Sequence, residues 1–180
     1  MHDFLAALVP EPFQVLGVPL KPLSYGHVVL LTRMDIDPVC HLSDLVLAVS
    51  VCRRSFTEGL AFFQNLARPA YWIEFQKQID RYKEHDEERA LEAWADYLET
   101  NSSHPEYIEA EGVSSDRGAP MLAQLREVLL RNGYSPKTLM DAPYGQCLWD
   151  YGCFVEAQQG FGIIGDRHRE VAALLRKARN

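Results

Sequence analysis

The glycine-rich run Gly160–Gly165, with the sequence GFGIIG, is the motif in this chain whose chemistry is most familiar. In dinucleotide-binding folds this spacing lets a pyrophosphate approach a helix N-terminus, but it requires a strand before it and another after it. Here residues 148–158 have a helical pattern, and only 15 residues follow Gly165. We therefore predict a turn between two helices, with Asp166 capping the second helix, and no cofactor.

The histidines and cysteines do not have the spacing of a metal site. The chain contains no HExxH and no CxxC motif, and the adjacent Cys40 and His41 have no second pair at zinc-like spacing. Cys147 and Cys153 point about 120° apart on a helix. We predict reduced, mostly buried thiols, no bound metal, and a packing or capping role for His27.

The chain also lacks the short motifs of common enzymes. It has no GxSxG motif and no P-loop, and Glu156 is expected to face solvent although it follows an aromatic helix face. A catalytic triad can be assembled from residues distant in sequence, so an enzyme with a spatially assembled site remains an alternative. The prediction is a protein without enzymatic activity.

Charge and hydropathy restrict the partners. The net charge is −7 and the isoelectric point about 5.3, which argues against nucleic-acid binding because phosphates require clustered basic residues. No segment approaches the roughly 18 apolar residues of a membrane span, and the first residues do not have the basic and apolar regions of a signal peptide. We expect a cytoplasmic protein.

Charge is unevenly distributed along the chain. Residues 74–116 contain 13 acidic and 4 basic residues, whereas residues 166–179 contain five basic and two acidic ones. These segments are either solvated helix faces or surfaces for charge-complementary contact, within the protein or with a partner.

Apolar periodicity predicts an all-α or strongly α-rich fold, a single bundle-like domain of about six or seven helices. The N-terminal part, residues 1–100, is expected to pack around a central buried helix over 44–65. Residues 13–23 are predicted to be extended because Pro19 and Pro22 exclude a regular helix. Residues 101–118 read as an acidic loop or linker, followed by a helical part over 119–180. Together these parts are expected to form one folding unit.

The sequence of residues 118–160 predicts a helix, a turn and a second helix that is rich in aromatic residues. Trp149 falls near the edge of the apolar stripe of that last helix, where a half-exposed tryptophan suits a partner-binding surface. The alternative is a wide core-facing stripe. The predicted partner-binding residues are Tyr144, Leu148, Trp149, Tyr151 and Phe154.

Three segments together resemble small helical proteins encoded among the tail-morphogenesis genes of tailed phages and prophages. They are VLGVPLKPLSYGH at 15–27, SDLVLAVSVCRR at 43–54, and residues 118–160 with GAP, NGYSPKTLMDAP and EAQQG. The resemblance covers roughly 70 residues of the chain, and it implies a tail assembly chaperone, which shields the helical tape-measure protein in the host cytoplasm until the tail tube polymerises. A structural or connector component of a phage-like particle is the alternative.

Overall fold

The computed structural model describes residues 13–36, 41–104 and 120–159, which form one two-stranded sheet and eight helices. In chain order the elements are β1 Phe13–Val15, β2 Val18–Leu20, α1 Tyr25–Met34, α2 Leu42–Cys52, α3 Phe56–Asn65, α4 Pro69–Tyr82, α5 Glu87–Asn101, α6 Met121–Arg131, α7 Pro136–Asp141 and α8 Tyr144–Gln159. The predicted α-rich fold is confirmed.

The extended N-terminal segment is a short β-hairpin. Strand β1 pairs antiparallel with β2, and Val15 lies opposite Val18. Leu16 and Gly17 both have positive φ angles, 54° and 70°, which matches a tight hairpin turn. Leu16 is buried, so its packing into the core compensates for a backbone conformation that favours glycine.

The residue type of Ser24 and the apolar residues that follow it predict a helix N-cap, and α1 does begin directly after Ser24. The Ser24 hydroxyl accepts a hydrogen bond from the backbone N–H of His27 at 3.2 Å, and the Ser24 N–H donates to Nδ1 of His27 at 3.2 Å. This reciprocal arrangement is a capping box in which a histidine replaces the usual glutamate or glutamine. His27 therefore has the predicted capping role.

The prediction of a single helix over residues 44–65 is wrong, because the structure divides this segment into α2 and α3. Ser55 interrupts the helix and caps α3. Its hydroxyl accepts from the Glu58 N–H at 3.4 Å, while its own N–H donates to the Glu58 carboxylate at 2.9 Å. The first half does form the buried centre, since Leu45 through Cys52 are buried except for the partly buried Leu47.

The other predicted helix boundaries lie close to the observed ones. The apolar stripe changes face between Tyr82 and Leu91, which favours a helix break near residues 84–87; α4 ends at Tyr82 and Asp86 caps α5, so this break is present. The sequence Ser135-Pro136 predicts a helix start, and Ser135 caps α7. Asp141-Ala142-Pro143 also predicts a helix start, but Asp141 is the last residue of α7, and α8 begins at Tyr144.

Two groups of buried apolar side chains form the interior. The N-terminal core includes residues of the hairpin and of α1, α2, α4 and α5, and the C-terminal core includes residues of α6, α7 and α8; Tyr144 packs against both. Backbone hydrogen bonds join the two parts, from Tyr25 N–H to the Ala142 carbonyl at 2.9 Å and from Tyr144 N–H to the Leu23 carbonyl at 2.8 Å.

Candidate functional site

The residues predicted to bind a partner lie on α8, and none of them is exposed. Trp149 has an exposed fraction of 2% and Leu148 of 6%. Tyr144, Tyr151 and Phe154 are partly buried and pack against the C-terminal core. The expected half-exposed position of Trp149 is therefore wrong; its side chain belongs to the interior.

The surroundings of α8 explain this burial. Helix α8 contacts α6, α1 and α5, so neighbours lie on several of its sides. Gly145 and Gly152 are buried as well as Cys147, Leu148 and Trp149. Glycines allow neighbouring helices to approach closely. The apolar stripe of α8 is therefore a wide core-facing surface, which is the alternative that the sequence leaves open.

Exposed apolar side chains instead concentrate at the start of α4. Tyr71, Trp72 and Ile73 have exposed fractions of 37%, 49% and 54%, and we call these three residues the α4 patch. Every residue from Arg68 to Glu74 is exposed. Phe75, which is 4% exposed, is the first buried residue of α4.

Helical spacing places Trp72 in one apolar stripe with Phe75, Ile79 and Tyr82, so periodicity alone predicts a core position for Trp72 and not the α4 patch. Phe75 and Tyr82 are buried, but Trp72 is half exposed. The consecutive positions of Tyr71, Trp72 and Ile73 do indicate that not all three side chains face the core. Three consecutive apolar residues on a helix span about 200° of its circumference, so they cannot all face one core.

Ring contacts connect the α4 patch to the core. The Tyr71 ring lies edge-on to Phe62, with centroids 6.5 Å apart, and the Trp72 ring lies 6.0 Å from that of Phe75. The Arg54 guanidinium stacks over Phe62, with Cζ 4.4 Å from the ring centroid. Burial lowers the pKa of Arg54, while the charge of Glu74 opposes this shift. One side of the α4 patch therefore packs against the rings of Phe62 and Phe75, and the other side is exposed to solvent.

A separate cleft lies where α1, α3 and the α7–α8 connection meet. Its volume is about 270 Å³, and it is lined by Lys21, Pro22, Ser24, His27, Ser55, Phe56, Asp141 and Pro143. Gly26 permits this close packing. A Cβ atom there would lie 2.5 Å from Cδ2 of Phe56 and 2.6 Å from the Met140 carbonyl oxygen.

His27 is the most buried ionisable group lining this cleft, with an exposed fraction of 2%. Burial lowers its pKa, despite opposing effects of the Arg54 backbone and the Asp141 carboxylate, so the imidazole is neutral at pH 7. Nδ1 accepts the Ser24 N–H, which places the proton on Nε2. Nε2 has no hydrogen-bond partner among the described residues.

Two cysteines are far from nucleophilic. Burial raises the pKa of Cys52 and of Cys147 to about 12, so both thiols are protonated at neutral pH. Cys153 is a partly buried cysteine. Within residues 13–36, 41–104 and 120–159, no group of three or more histidine, cysteine or acidic side chains could hold a metal ion.

Several sequence predictions concern residues outside the described part of the chain. These are the glycine-rich turn at 160–165, the basic segment 166–179, Cys40, His168 and most of the acidic loop 101–118. In the described part, every helix is too short or too polar to cross a membrane.

No family model, no curated protein and no solved structure matches this chain significantly.

Proposed function

We propose that this protein is a non-enzymatic adaptor that binds a helical partner protein, and that it acts as a phage-type tail assembly chaperone in the cytoplasm of the producing cell. The proposal combines the sequence resemblance with one structural observation, the α4 patch. It assigns no role to nucleic acid, to a membrane or to a cofactor.

The exposed aromatic residues support protein binding. Trp72 and Tyr71 are of the types that contribute most to binding free energy at interfaces, and they adjoin the still more exposed Ile73. Leaving such side chains in water is unfavourable, since burying one contributes about 1.5–3 kcal/mol. A partner that covered all three would recover much of this free energy.

The shape of the region favours a helix as partner. The patch lies at the start of α4, and ridges of side chains on a helix can pack into the grooves of another helix. A specific interface needs about 800 Å² on each side, more than three side chains provide. The exposed N-cap residue Arg68 and the exposed Glu74 and Lys77 of α4 would therefore form the polar rim.

A capture experiment with matched variants tests the proposal. The tagged protein, the variant Trp72→Ala and the variant Met121→Ala are each expressed in the native producing cells, and bound proteins are identified by mass spectrometry. Met121 is the control because it is apolar and 46% exposed but lies on α6. We expect one large helical protein in stoichiometric amount with wild type and Met121→Ala, and its loss with Trp72→Ala.

Two results would contradict the proposal. Equal capture by all three proteins would exclude the α4 patch as the binding surface. Recovery with capsid, tube or baseplate proteins, or as a self-assembled ring, would favour a structural component of a particle.

A further inference from the structure

We propose that the α4 patch binds an acidic amphipathic helix, whose apolar side chains cover the patch and whose glutamate or aspartate side chains flank them. The inference rests on the proposed function, because it takes the α4 patch as a surface for a helical partner, and it adds the charge of that partner. It depends on three cations around the patch, Arg54, Arg68 and Lys77, which we call the basic rim.

Helical spacing brings two cations of the basic rim next to the patch. Arg68 is the N-cap residue of α4, and its carbonyl oxygen accepts a hydrogen bond from the Trp72 N–H at 3.0 Å, so both belong to the first turn. Lys77 follows Ile73 by four residues, the spacing at which side chains on a helix surface are neighbours. Both cations are exposed, and neither forms a salt bridge with the part of the chain that the structure describes.

The third cation lies beside the patch at the start of the α2–α3 connection. The Arg54 guanidinium stacks over Phe62, whose ring is in edge contact with that of Tyr71. Glu74 is the only acidic residue in the first two turns of α4, and it lies close enough to Arg54 for its charge to raise the pKa of the guanidinium. Arg54 therefore offsets the charge of Glu74, and the other two cations leave the patch with a positive surround.

This local charge is opposite to that of the whole protein. The net charge is −7, yet residues 68–83 contain four basic and two acidic residues, whereas residues 84–101 contain one basic and seven acidic ones. A helix with carboxylates beside its apolar stripe would pair with the basic rim, whereas a basic helix would be repelled. Charge complementarity therefore favours an acidic partner.

Two other occupants of the patch fit less well. The chain's own segment 166–179 contains five basic and two acidic residues, so its charge has the same sign as that of the basic rim. A second copy could present the acidic α5, but the large apolar side chains that are exposed in the described part of the chain belong to the α4 patch and to Met121 of α6. Helix α5 therefore offers the patch no such side chain.

Three synthetic helical peptides of equal length test the charge preference. They share leucines at positions i, i+3, i+4 and i+7, and the positions beside the leucines carry glutamate, glutamine or lysine. Binding to the full chain is measured by isothermal titration. We expect the glutamate peptide to bind at least about tenfold more tightly than the lysine peptide at about 50 mM NaCl, and this ratio to fall below about threefold at about 1 M NaCl, because salt screens exposed charges.

Two matched charge reversals locate the preference. Lys77→Glu changes the basic rim, and Lys137→Glu changes an exposed lysine of α7, in the C-terminal part of the protein. Lys77→Glu should weaken binding of the glutamate peptide about fivefold and strengthen binding of the lysine peptide, whereas Lys137→Glu should change either affinity by less than about twofold. Trp72→Ala should weaken the binding of all three peptides.

Several outcomes would overturn the inference. These are equal affinity for the three peptides, equal effects of the two lysine variants, or no binding of the glutamate peptide. A preference for the lysine peptide would favour the chain's own basic segment as the occupant. A dimer that is seen by sedimentation equilibrium and dissociated by Trp72→Ala would favour a second copy.

The same measurements separate this inference from the proposed function. If the peptides bind without a charge preference and Trp72→Ala weakens all of them, the α4 patch binds helices and only the preference for acidic partners is wrong. Peptide binding that Trp72→Ala leaves unchanged would contradict both proposals. If no peptide binds, the inference is wrong, and the capture experiment decides the proposed function by itself.

Discussion

Trp149 and Trp72 lie in different environments, with exposed fractions of 2% and 49%. Trp149 is enclosed by the helices around α8, whereas the half-exposed Trp72 has its ring 6.0 Å from that of the core residue Phe75. The same residue type therefore serves packing in one position and is available for binding in the other. Measurements on single side chains can separate these roles.

Replacing each tryptophan by alanine should affect stability very differently. Trp149→Ala leaves a large cavity and should lower the free energy of unfolding by about 3–5 kcal/mol. Trp72→Ala should change it by less than about 1 kcal/mol, because about half of the residue is already exposed to water. Urea unfolding at pH 7 measures both, and a similar loss for the two variants would contradict these assignments.

His27 should make stability depend on pH. Burial lowers its pKa in the folded chain below the ordinary 6.5, so the unfolded chain binds a proton at a higher pH than the folded chain does. Stability contributed by neutral His27 is present above pH 6.5 and decreases as the pH falls below it, by up to about 1.4 kcal/mol per pH unit.

Urea unfolding at pH 7.5 and at pH 5.5 checks this dependence, with His27→Gln compared with His85→Gln. His85 is exposed and serves as the control. The His27 variant should lose stability at pH 7.5 but show a smaller decrease between the two pH values. If the decrease were the same in wild type and His27→Gln, another group would be responsible.

At the scale of elements, the break between α2 and α3 has the largest consequence. Ser55 and Phe56, at the start of α3, line the cleft that His27 also lines, while α3 packs against the central helix α2. The capping box of Ser55 and Glu58 satisfies the first backbone donors of α3, and that local stabilisation favours a new helix over continuation of α2.

Removing this cap should destabilise the protein by a moderate amount. Ser55→Ala deletes the oxygen that accepts the Glu58 N–H, with an expected loss of about 1 kcal/mol in the free energy of unfolding. Ser55→Asp retains a capping oxygen and should stay near wild type. Urea denaturation compares the three proteins, and equal stability of Ser55→Ala and wild type would show that the cap is not required.

The elements were largely predictable because their ends have local signals. Ser24, Ser135 and the pair Asn132–Gly133 mark observed helix ends, and the two prolines near residue 20 mark the extended segment. The break at Ser55 also had a signal, the sequence SFTE, but the apolar periodicity continued through it. Periodicity alone does not distinguish one long helix from two helices that share a core.

The candidate sites were not predictable in the same way. The His27 cleft joins three segments centred near residues 22, 55 and 142, and their proximity depends on how α1 packs against α3 and α7. The α4 patch depends on where the packed body ends along the helix. Both are properties of tertiary packing, whereas sequence patterns report local geometry.

At the scale of the whole molecule, the two cores are linked by side chains as well as by backbone. The Tyr25 side chain of α1 belongs to the C-terminal core, where its hydroxyl donates to the Leu122 carbonyl at 2.8 Å, whereas Leu30 of the same helix belongs to the N-terminal core. Tyr144 contacts apolar residues of both cores. Such shared contacts couple the stability of one part to that of the other.

We therefore expect one cooperative unfolding transition. Trp94 reports on the N-terminal core and Trp149 on α8, so variants that retain only one of these tryptophans, with phenylalanine at the other tryptophan positions, separate the two signals. In each variant, the urea transition followed by tryptophan fluorescence should have the same midpoint as the transition followed by far-UV circular dichroism. Midpoints that differ between fluorescence and circular dichroism would indicate two folding units.

The central claim is that the α4 patch binds a helical partner, and the affinity of the captured partner for purified variants tests it most directly. Isothermal titration should show binding to Trp72→Ala weakened about 30-fold, equivalent to about 2 kcal/mol, with Met121→Ala close to wild type. A change of less than about threefold for Trp72→Ala, or an equal loss for Met121→Ala, would contradict the assignment of the binding surface to the α4 patch.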